Sequence, residues 1–443
     1  MAIEAKFYEP ASEPLTCGEK MYEMVAALYP ICRSITGEGL RATLNKIGDY
    51  IPLHLSEVAT GTEVFDWEIP KEWNIRDAFV KNPRGEKIID FKKSNLHVLN
   101  YSIPIHEKMS LEALTPHLFT LKDHPDWIPY RTSYYKETWG FCLSHNDYLR
   151  LEDGEYEVMI DSTLENGHLT YGEYYLRGML PEEILFSCHV CHPSLCNDNL
   201  SGIALTTFLA KALSRTENRK YSYRFLFIPG TIGSICWLSR NENIVQNIRH
   251  GLVVVCVGDG GHFSYKKSRK GNEEIDRAAL HILQHMAPGF ECTEFSPYGY
   301  DERQYCSPGF NLSVGSLSRS SHGKYPQYHT SADNLDLVKP DYLEQSLEIY
   351  QALVSVLENN AVYVNQQPKC EPRLGKRGLY RSVGATSSQT EHDMALLWVL
   401  NLSDGANSLL DIAERSGMHF KTIASAAQAL KGCGLIVEST IGF

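Results

Sequence analysis

The sequence predicts an α/β protein. Its main body is a mainly parallel sheet flanked by helices, with an inserted β-rich domain and a C-terminal winged helix-turn-helix. Three observations predict this. Between about residues 171 and 363, short β-branched and aromatic runs alternate with stretches of helical periodicity, the pattern of a sheet covered on both faces. Between about 60 and 169 the texture changes to short alternating runs broken by turn residues. After residue 391, three short helical patterns are followed by an apolar run, the outline of a winged helix-turn-helix.

The expected boundaries are 1–59 with 170–380 for a discontinuous α/β domain, 60–169 for the insert and 388–443 for the C-terminal module. Residues 19–28 and 40–51 place apolar side chains at helical spacing, with the GEG turn of 37–39 between them. In the insert, 86–90, 96–101 and 155–160 read as strands, and 82–85 and 152–154 as hairpin turns. A surface loop tolerates an insertion of this size. In the body, 184–188, 223–228, 252–257 and 312–314 read as strands, and 202–213, 234–243, 273–285 and 343–359 as helices. The polar stretch 364–388 reads as a linker or irregular arm. Helices at 393–401, 408–416 and 420–431 and a strand at 434–438 complete the chain, and residues 391–443 are expected to fold on their own.

The charge of -12 argues against a general nucleic-acid or anionic-membrane binder. The helix 420–431, in the position of a recognition helix, carries only Lys421 and Lys431, with His419 before it, so a protein-interaction or dimerisation role is expected there and tight DNA binding is not. The basic run 373–381 is expected to dock on the acidic body. No apolar run approaches the roughly 20 residues that span a bilayer. The first ten residues lack a signal peptide's charged head and apolar centre, so a cytoplasmic protein is expected. Twelve cysteines scattered through a long cytosolic chain read as free thiols. Cys188, Cys191 and Cys196 suggest a zinc knot, but a closed site draws on two separated pairs and no second pair is evident. Packing at a strand end is the plainer reading.

The most informative stretch is FSCHVCHPSLCNDNLSG, 186–202. It puts His189, His192 and Asp198 in the loop after a buried strand, where α/β folds place their chemistry. Neutral imidazole plus carboxylate suits zinc. Asp259, after the apolar run 253–257, and His329, in YHTSADNL at 328–335, bring ligand-type side chains from two more segments. Each has a plainer reading: a helix cap or Asx-turn for Asp198, a salt bridge or turn cap for Asp259, and a surface histidine for His329.

The NDNLSG motif at 197–202, Asp259 and Tyr328 with His329 resemble zinc aminopeptidases of the M28 type. A wider set is similar to a bacterial family of aminopeptidase-like proteins of unknown function. It comprises LYPICRSITG at 28–37, CHPS at 191–194, PGTIG at 229–233, DERQ at 301–304 and YHTSAD at 328–333. The resemblance implies a zinc-exopeptidase-like fold and a zinc-dependent hydrolase of an amide or peptide bond. Its substrate would be a small peptide or an amide-containing small molecule. Asp198 would bridge metal ions, with His192, Asp259 and His329 as further ligands and Tyr328 at the oxyanion. His189 aligns with the family's His-x-Asp histidine, but Cys191 stands where the carboxylate is expected. His192 is therefore favoured as ligand, leaving His189 to face substrate, support the site or pack in the core. Where M28 enzymes carry two adjacent glutamates, this chain has Gly230 and Thr231. One Zn2+ rather than two is then expected, with Glu302 as the replacement base and Arg303 beside it at the substrate. The alternative is a catalytically degenerate, peptidase-like binding or regulatory protein.

Overall fold

The computed structural model describes residues 15–379 and 387–439. The first ten residues and the end of the basic run, 380–381, lie outside the described residues. At the centre is an eight-stranded sheet. In chain order its strands are β1 (His54–Ala59), β2 (His168–Leu176), β3 (Glu183–His189), β4 (Ser222–Ile228), β5 (Ile248–Val254), β6 (Ser264–Lys266), β7 (Glu291–Thr293) and β8 (Val314–Ser318). Their spatial order is β1-β2-β4-β3-β5-β8-β6-β7. Strands β4, β3, β5 and β8 run parallel, while β1, β2 and β6 pair antiparallel with their inner neighbours.

The inner strands are buried on both faces, which is why they read as continuous apolar runs. Alternation divides their side chains between two cores. Ile184, Phe186, Cys188, Tyr223, Phe225 and Phe227 face the helices Cys17–Leu28, Gly202–Ser214 and Pro340–Asn359. Leu185, Leu226, Ile228 and Val253 face the helix Ile232–Arg240. Each such side chain contributes about 1.5–3 kcal/mol by leaving water. The first helix starts where a capping box should place it: Thr16 accepts from Glu19 N, and Glu19 accepts from Thr16 N. Among the described residues no helix is long and apolar enough to cross a membrane.

Several boundaries differ from the sequence reading, each for a local reason. Strand β5 stops at Val254 instead of 257 because the Asn199 side chain takes over its hydrogen bonds. Asn199 Nδ2 donates to Val254 O at 3.0 Å, and Cys256 N donates to Asn199 Oδ1 at 3.3 Å. The strand expected at 312–314 is displaced to Val314–Ser318, and the helix expected at 234–243 divides into Ile232–Arg240 and Glu242–Val245. Residues 96–101 are not a strand. Ser94 Oγ accepts from Leu96 N and caps a single 3-10 turn, Asn95–His97, after which only isolated bridges form at Val98 and Asn100.

The chain between β1 and β2 forms a four-stranded antiparallel sheet, ordered Lys87–Asp90, Glu72–Lys81, Glu155–Glu165 and Ile105–Ser110. It has its own core around Ala78, Val80, Phe141, Val158 and Ile160. The C-terminal helices Ser387–Leu402, Leu409–Ser416 and Phe420–Gly432 are followed by the strand Ile436–Glu438. The wing sheet takes its middle strand from Val362–Asn365, which straddles the start of the stretch read as a linker, between Asp404–Ser408 and Ile436–Glu438. A fragment of 391–443 therefore lacks that strand. Leu396, Leu410, Ile423 and Leu430 also belong to the same core cluster as the body's helices. The expectation of an independently folding tail gives way to a module built onto the body.

That junction is histidine-rich. Phe420 N donates to His281 Nε2 at 3.0 Å, and the His281 ring lies 4.6 Å from His285 and 6.2 Å from His419. Burial, reinforced by His285 and His419, lowers the His281 pKa from 6.5 to about 4. Folding thus favours neutral His281. Its contribution is complete above the unfolded value of 6.5 and is lost as pH falls through about 4, because the unfolded chain then binds the extra proton more readily. Calorimetry from pH 7 down to pH 4 should show a falling Tm, with a shallower slope in His281→Gln.

Candidate active site

The inner strands are parallel, so their carboxyl ends meet at one edge of the sheet. His189 is the last residue of β3 and pairs across to Ile228, the last of β4. The loops after β3, β4, β5 and β8 therefore converge, and they carry His192 and Asp198, Gly230 and Thr231, Asp259, and His329 respectively. Ligands gather at such an edge in open α/β sheets.

The convergence centres on Asp198, which is fully buried. Its Oδ1 lies 2.9 Å from His189 Nε2, and its Oδ2 lies 3.0 Å from His329 Nε2 and 3.9 Å from His192 Nε2. Each of His189, His192 and Asp198 offers a ligand atom within 4.8 Å of the others. Burial works against a charge on Asp198, but His192 and His189 outweigh it and hold the carboxyl well below the usual range. Burial pushes His192 well below its ordinary value despite Asp198. The set is thus an ionised carboxylate with a neutral imidazole, the donor chemistry that a divalent ion such as zinc requires. Behind it, Asp333 receives Asn197 N at 2.6 Å and Asp198 N at 3.0 Å, which fixes the loop backbone. Burial raises the Asp333 pKa to about 8.

The amino-terminal motif and the CHPS motif meet here. Arg33 is buried, donates from Nε to His192 O at 3.0 Å and from Nη1 to Leu28 O at 2.7 Å, and Ser194 Oγ donates to Tyr29 O at 2.9 Å. The insert closes another side. Tyr130 N donates to His329 O at 2.8 Å, and Ser331 N donates to Ile128 O at 2.9 Å. The Tyr130 ring lies 5.1 Å from both His192 and His329.

The structure brings His189, His192, Asp198 and His329 together. Tyr328 is stacked on His329 at 4.0 Å, and burial followed by Asp198 raises its pKa, keeping the phenol protonated. Arg303 lines the same cleft as His192 and His329. Asp259 is placed differently: its Oδ2 accepts from Ser320 Oγ, and its buried Oδ1 has no hydrogen-bond partner. It lies five residues past the end of β5, not at the strand end, and is outside the His189–His192–Asp198 group. Glu302 is fully buried and tied through Oε1 to Lys266 Nζ at 2.7 Å. Its free Oε2 faces no partner.

Sequence reasoning missed Asp301, one residue away. A Cβ on Gly230 would stand 3.2 Å from His189 Cβ and 3.4 Å from Asp301 Oδ2. Gly230 therefore packs directly against both, tightly against His189 and at ordinary contact distance from the Asp301 carboxylate. Asp301 Oδ1 accepts from Ser234 Oγ at 3.0 Å, and burial raises its pKa to about 6, with His189 opposing. Tyr300 was also missed and stacks on His189 at 5.9 Å. The signal for Asp301 was the pairing of PGTIG and DERQ as motifs, since the small residue of one packs against the acid of the other.

Residues 22–360 match the family model described as a domain of unknown function (DUF4910), and 361–438 match a winged helix-turn-helix model. A Clostridium acetobutylicum protein described as a polysaccharide biosynthesis protein with an aminopeptidase-like domain is 55% identical over 425 residues, covering 96% of this chain and 97% of that one. A crystal structure from the same organism, described as a peptidase, aligns with a TM-score of 0.91 at 54% identity over 95% of this chain and 96% of the other. A zinc aminopeptidase from Bacillus subtilis aligns with a TM-score of 0.56 at 10% identity, over 77% of this chain and 95% of its own. The last is a likeness of fold. The aminopeptidase-like α/β architecture and the C-terminal winged helix expected from the motifs are both present.

Proposed function

The chain belongs to the family described as a domain of unknown function, DUF4910, and we propose that this member is a metal-dependent hydrolase of an amide bond in a small peptide or small molecule. The observation that carries the reading is the donor set of His189, His192 and Asp198, whose ligand atoms lie within 4.8 Å of one another where the parallel strands end. These residues would hold one zinc ion, with His329 at the other Asp198 oxygen. Bound there, zinc would serve as a Lewis acid toward the scissile carbonyl.

The chain's own groups fill the remaining roles. The Tyr328 phenol, held protonated by burial, is a donor for an oxyanion at the substrate carbonyl. The Asp301 carboxylate, packed against Gly230, takes the proton of an attacking water. Tyr130 packs against His192 and His329 and closes one side of the site. Glu302, paired with Lys266, positions the short helix that follows Asp301.

Purified protein is expected to hold about one zinc per chain, because one carboxylate and three imidazoles converge while Gly230 and Thr231 provide no second acidic pair. Elemental analysis checks this, alongside amide hydrolysis before chelation, after chelation and after zinc is restored. Metal-free protein inert toward amides would sink the reading. Zinc without turnover would instead support the binding-protein alternative, which the Gly230–Thr231 pair favours.

A further inference from the structure

We propose, on the premise that this cleft hydrolyses an amide, that the substrate carries an oxyanion near the scissile bond, a carboxylate or a phosphate, and that Arg303 recognises it. The cleft encloses about 450 Å³, a volume suited to a small molecule. His192, His329 and Gly230 form part of its lining, with Arg303 and Arg131 beside them and Trp67 and Tyr135 also bordering it.

Arg303 differs from the other enclosed arginines in having no engaged nitrogen; Arg33 Nη2 and Arg219 Nε are also buried without a partner, but both of those side chains are held through Nη1. Arg33 donates to Leu28 O at 2.7 Å, Arg224 to Glu183 Oε2 at 2.6 Å, and Arg319 to Ser346 Oγ at 3.0 Å. Each has a structural partner. The Arg303 guanidinium makes no hydrogen bond or ion pair among the described residues, and its Nε is buried without a partner. Its neighbour Asp301 is engaged by Ser234 through Oδ1 alone, at 3.0 Å, and Arg303 acts on that carboxylate through charge without a hydrogen bond. A buried donor left unpaired is unfavourable unless water or a ligand brings the acceptor. A metal ion cannot satisfy it, because a cation accepts no hydrogen bond.

The guanidinium fork matches the two oxygens of a carboxylate or phosphate. Arg131, also without a side-chain hydrogen bond or ion pair among the described residues, adds positive charge to the same cleft in a chain whose net charge is -12. Trp67 and Tyr135 remain 46% and 55% exposed, with ring centroids 5.5 Å apart. The two rings are tilted 56° to each other and share no plane, so a ring of the ligand can lie on one of them at a time. The ligand these features describe has a ring face, an amide and an oxyanion, so it is an anionic amide and not a neutral peptide.

Three matched probes test this with the full-length, zinc-supplemented protein: N-benzoylglycine, N-benzoyl-2-aminoethyl phosphate and neutral N-benzoylglycinamide. Titration calorimetry should show one or both anions binding about tenfold to a hundredfold more tightly than the neutral amide, the scale of a charge-assisted contact. Arg303→Met should bring the anions to the level of the neutral amide, and Arg303→Lys should keep part of the preference. Thermal melts of both variants establish that they are folded. Which anion binds more tightly distinguishes carboxylate from phosphate. Equal binding of all three probes, no binding up to 10 mM (roughly the weakest affinity calorimetry resolves), or an unchanged preference in folded Arg303→Met would overturn the proposal. Hydrolysis is followed on the same samples. Cleavage without anion preference defeats this inference and spares the hydrolase reading, and Arg303-dependent anion binding without cleavage does the reverse.

Discussion

Asp198→Asn is expected to strip the site of metal and abolish amide hydrolysis. The carboxylate is fully buried and meets His189 at 2.9 Å through one oxygen and His329 at 3.0 Å through the other. Asparagine keeps the shape but removes the charge, and it turns one acceptor into an N–H donor. That donor then faces an imidazole or a cation. Zinc affinity should fall by at least about a hundredfold, because even loss of a supporting group around a metal costs about ten- to a hundredfold. Folding stability should also fall, by about 1–3 kcal/mol, for the acceptor lost among buried histidines. Zinc content by elemental analysis and Tm by calorimetry read the two effects separately. A variant that keeps its zinc would mean that Asp198 is only a hydrogen-bond hub for the three histidines.

Asp301→Asn and Glu302→Gln should separate chemistry from structure at adjacent positions. Asp301 lies beside His189, against Gly230. Its replacement should lower turnover by about a hundredfold or more while zinc stays bound, the usual scale for loss of a general base. Glu302 instead holds Lys266 at 2.7 Å in a buried pair. Glutamine retains an acceptor but removes the counter-charge. The cost should appear as about 1–3 kcal/mol of stability, with turnover reduced far less. Rates, zinc content and melts are measured on both variants side by side. If Glu302→Gln is the slower enzyme and Asp301→Asn is fully active, the base is Glu302 or a group it positions.

The pair also explains how Gly230 and Thr231 bear on the site. A glutamate at 230 would need a Cβ 3.2 Å from His189 Cβ and 3.4 Å from Asp301 Oδ2. A side chain at 230 would crowd His189 and abut Asp301, so the acid beside His189 in this chain comes from the 301 loop and not from the end of β4.

The alternating pattern determined the fold class from sequence alone, because strands buried on both faces must be apolar throughout and their covering helices must repeat every 3.6 residues. The inner strands and the helices Gly202–Ser214, Glu274–Met286 and Pro340–Asn359 lie within a few residues of where that pattern places them. That His189, His192 and Asp198 lie together was legible for the same reason, since His189 ends one strand and the other two follow in its loop; that His189 stands in the ligand group was not, because the sequence favoured His192 alone for the histidine role. What only the tertiary structure decided depends on residues far apart in the chain. The Asn199 side chain ends β5 from 55 residues away, which moves Asp259 off the strand end and lets Ser320 engage it. Lys266 claims Glu302, and Gly230 packs against Asp301. The insert supplies Tyr130 through backbone hydrogen bonds to the His329 loop. The middle strand of the wing comes from Val362–Asn365, a run of four residues too short to assign to the wing until its two neighbours pair with it. Periodicity records which face of an element is buried; it carries no record of the side chain from another segment that completes a hydrogen bond.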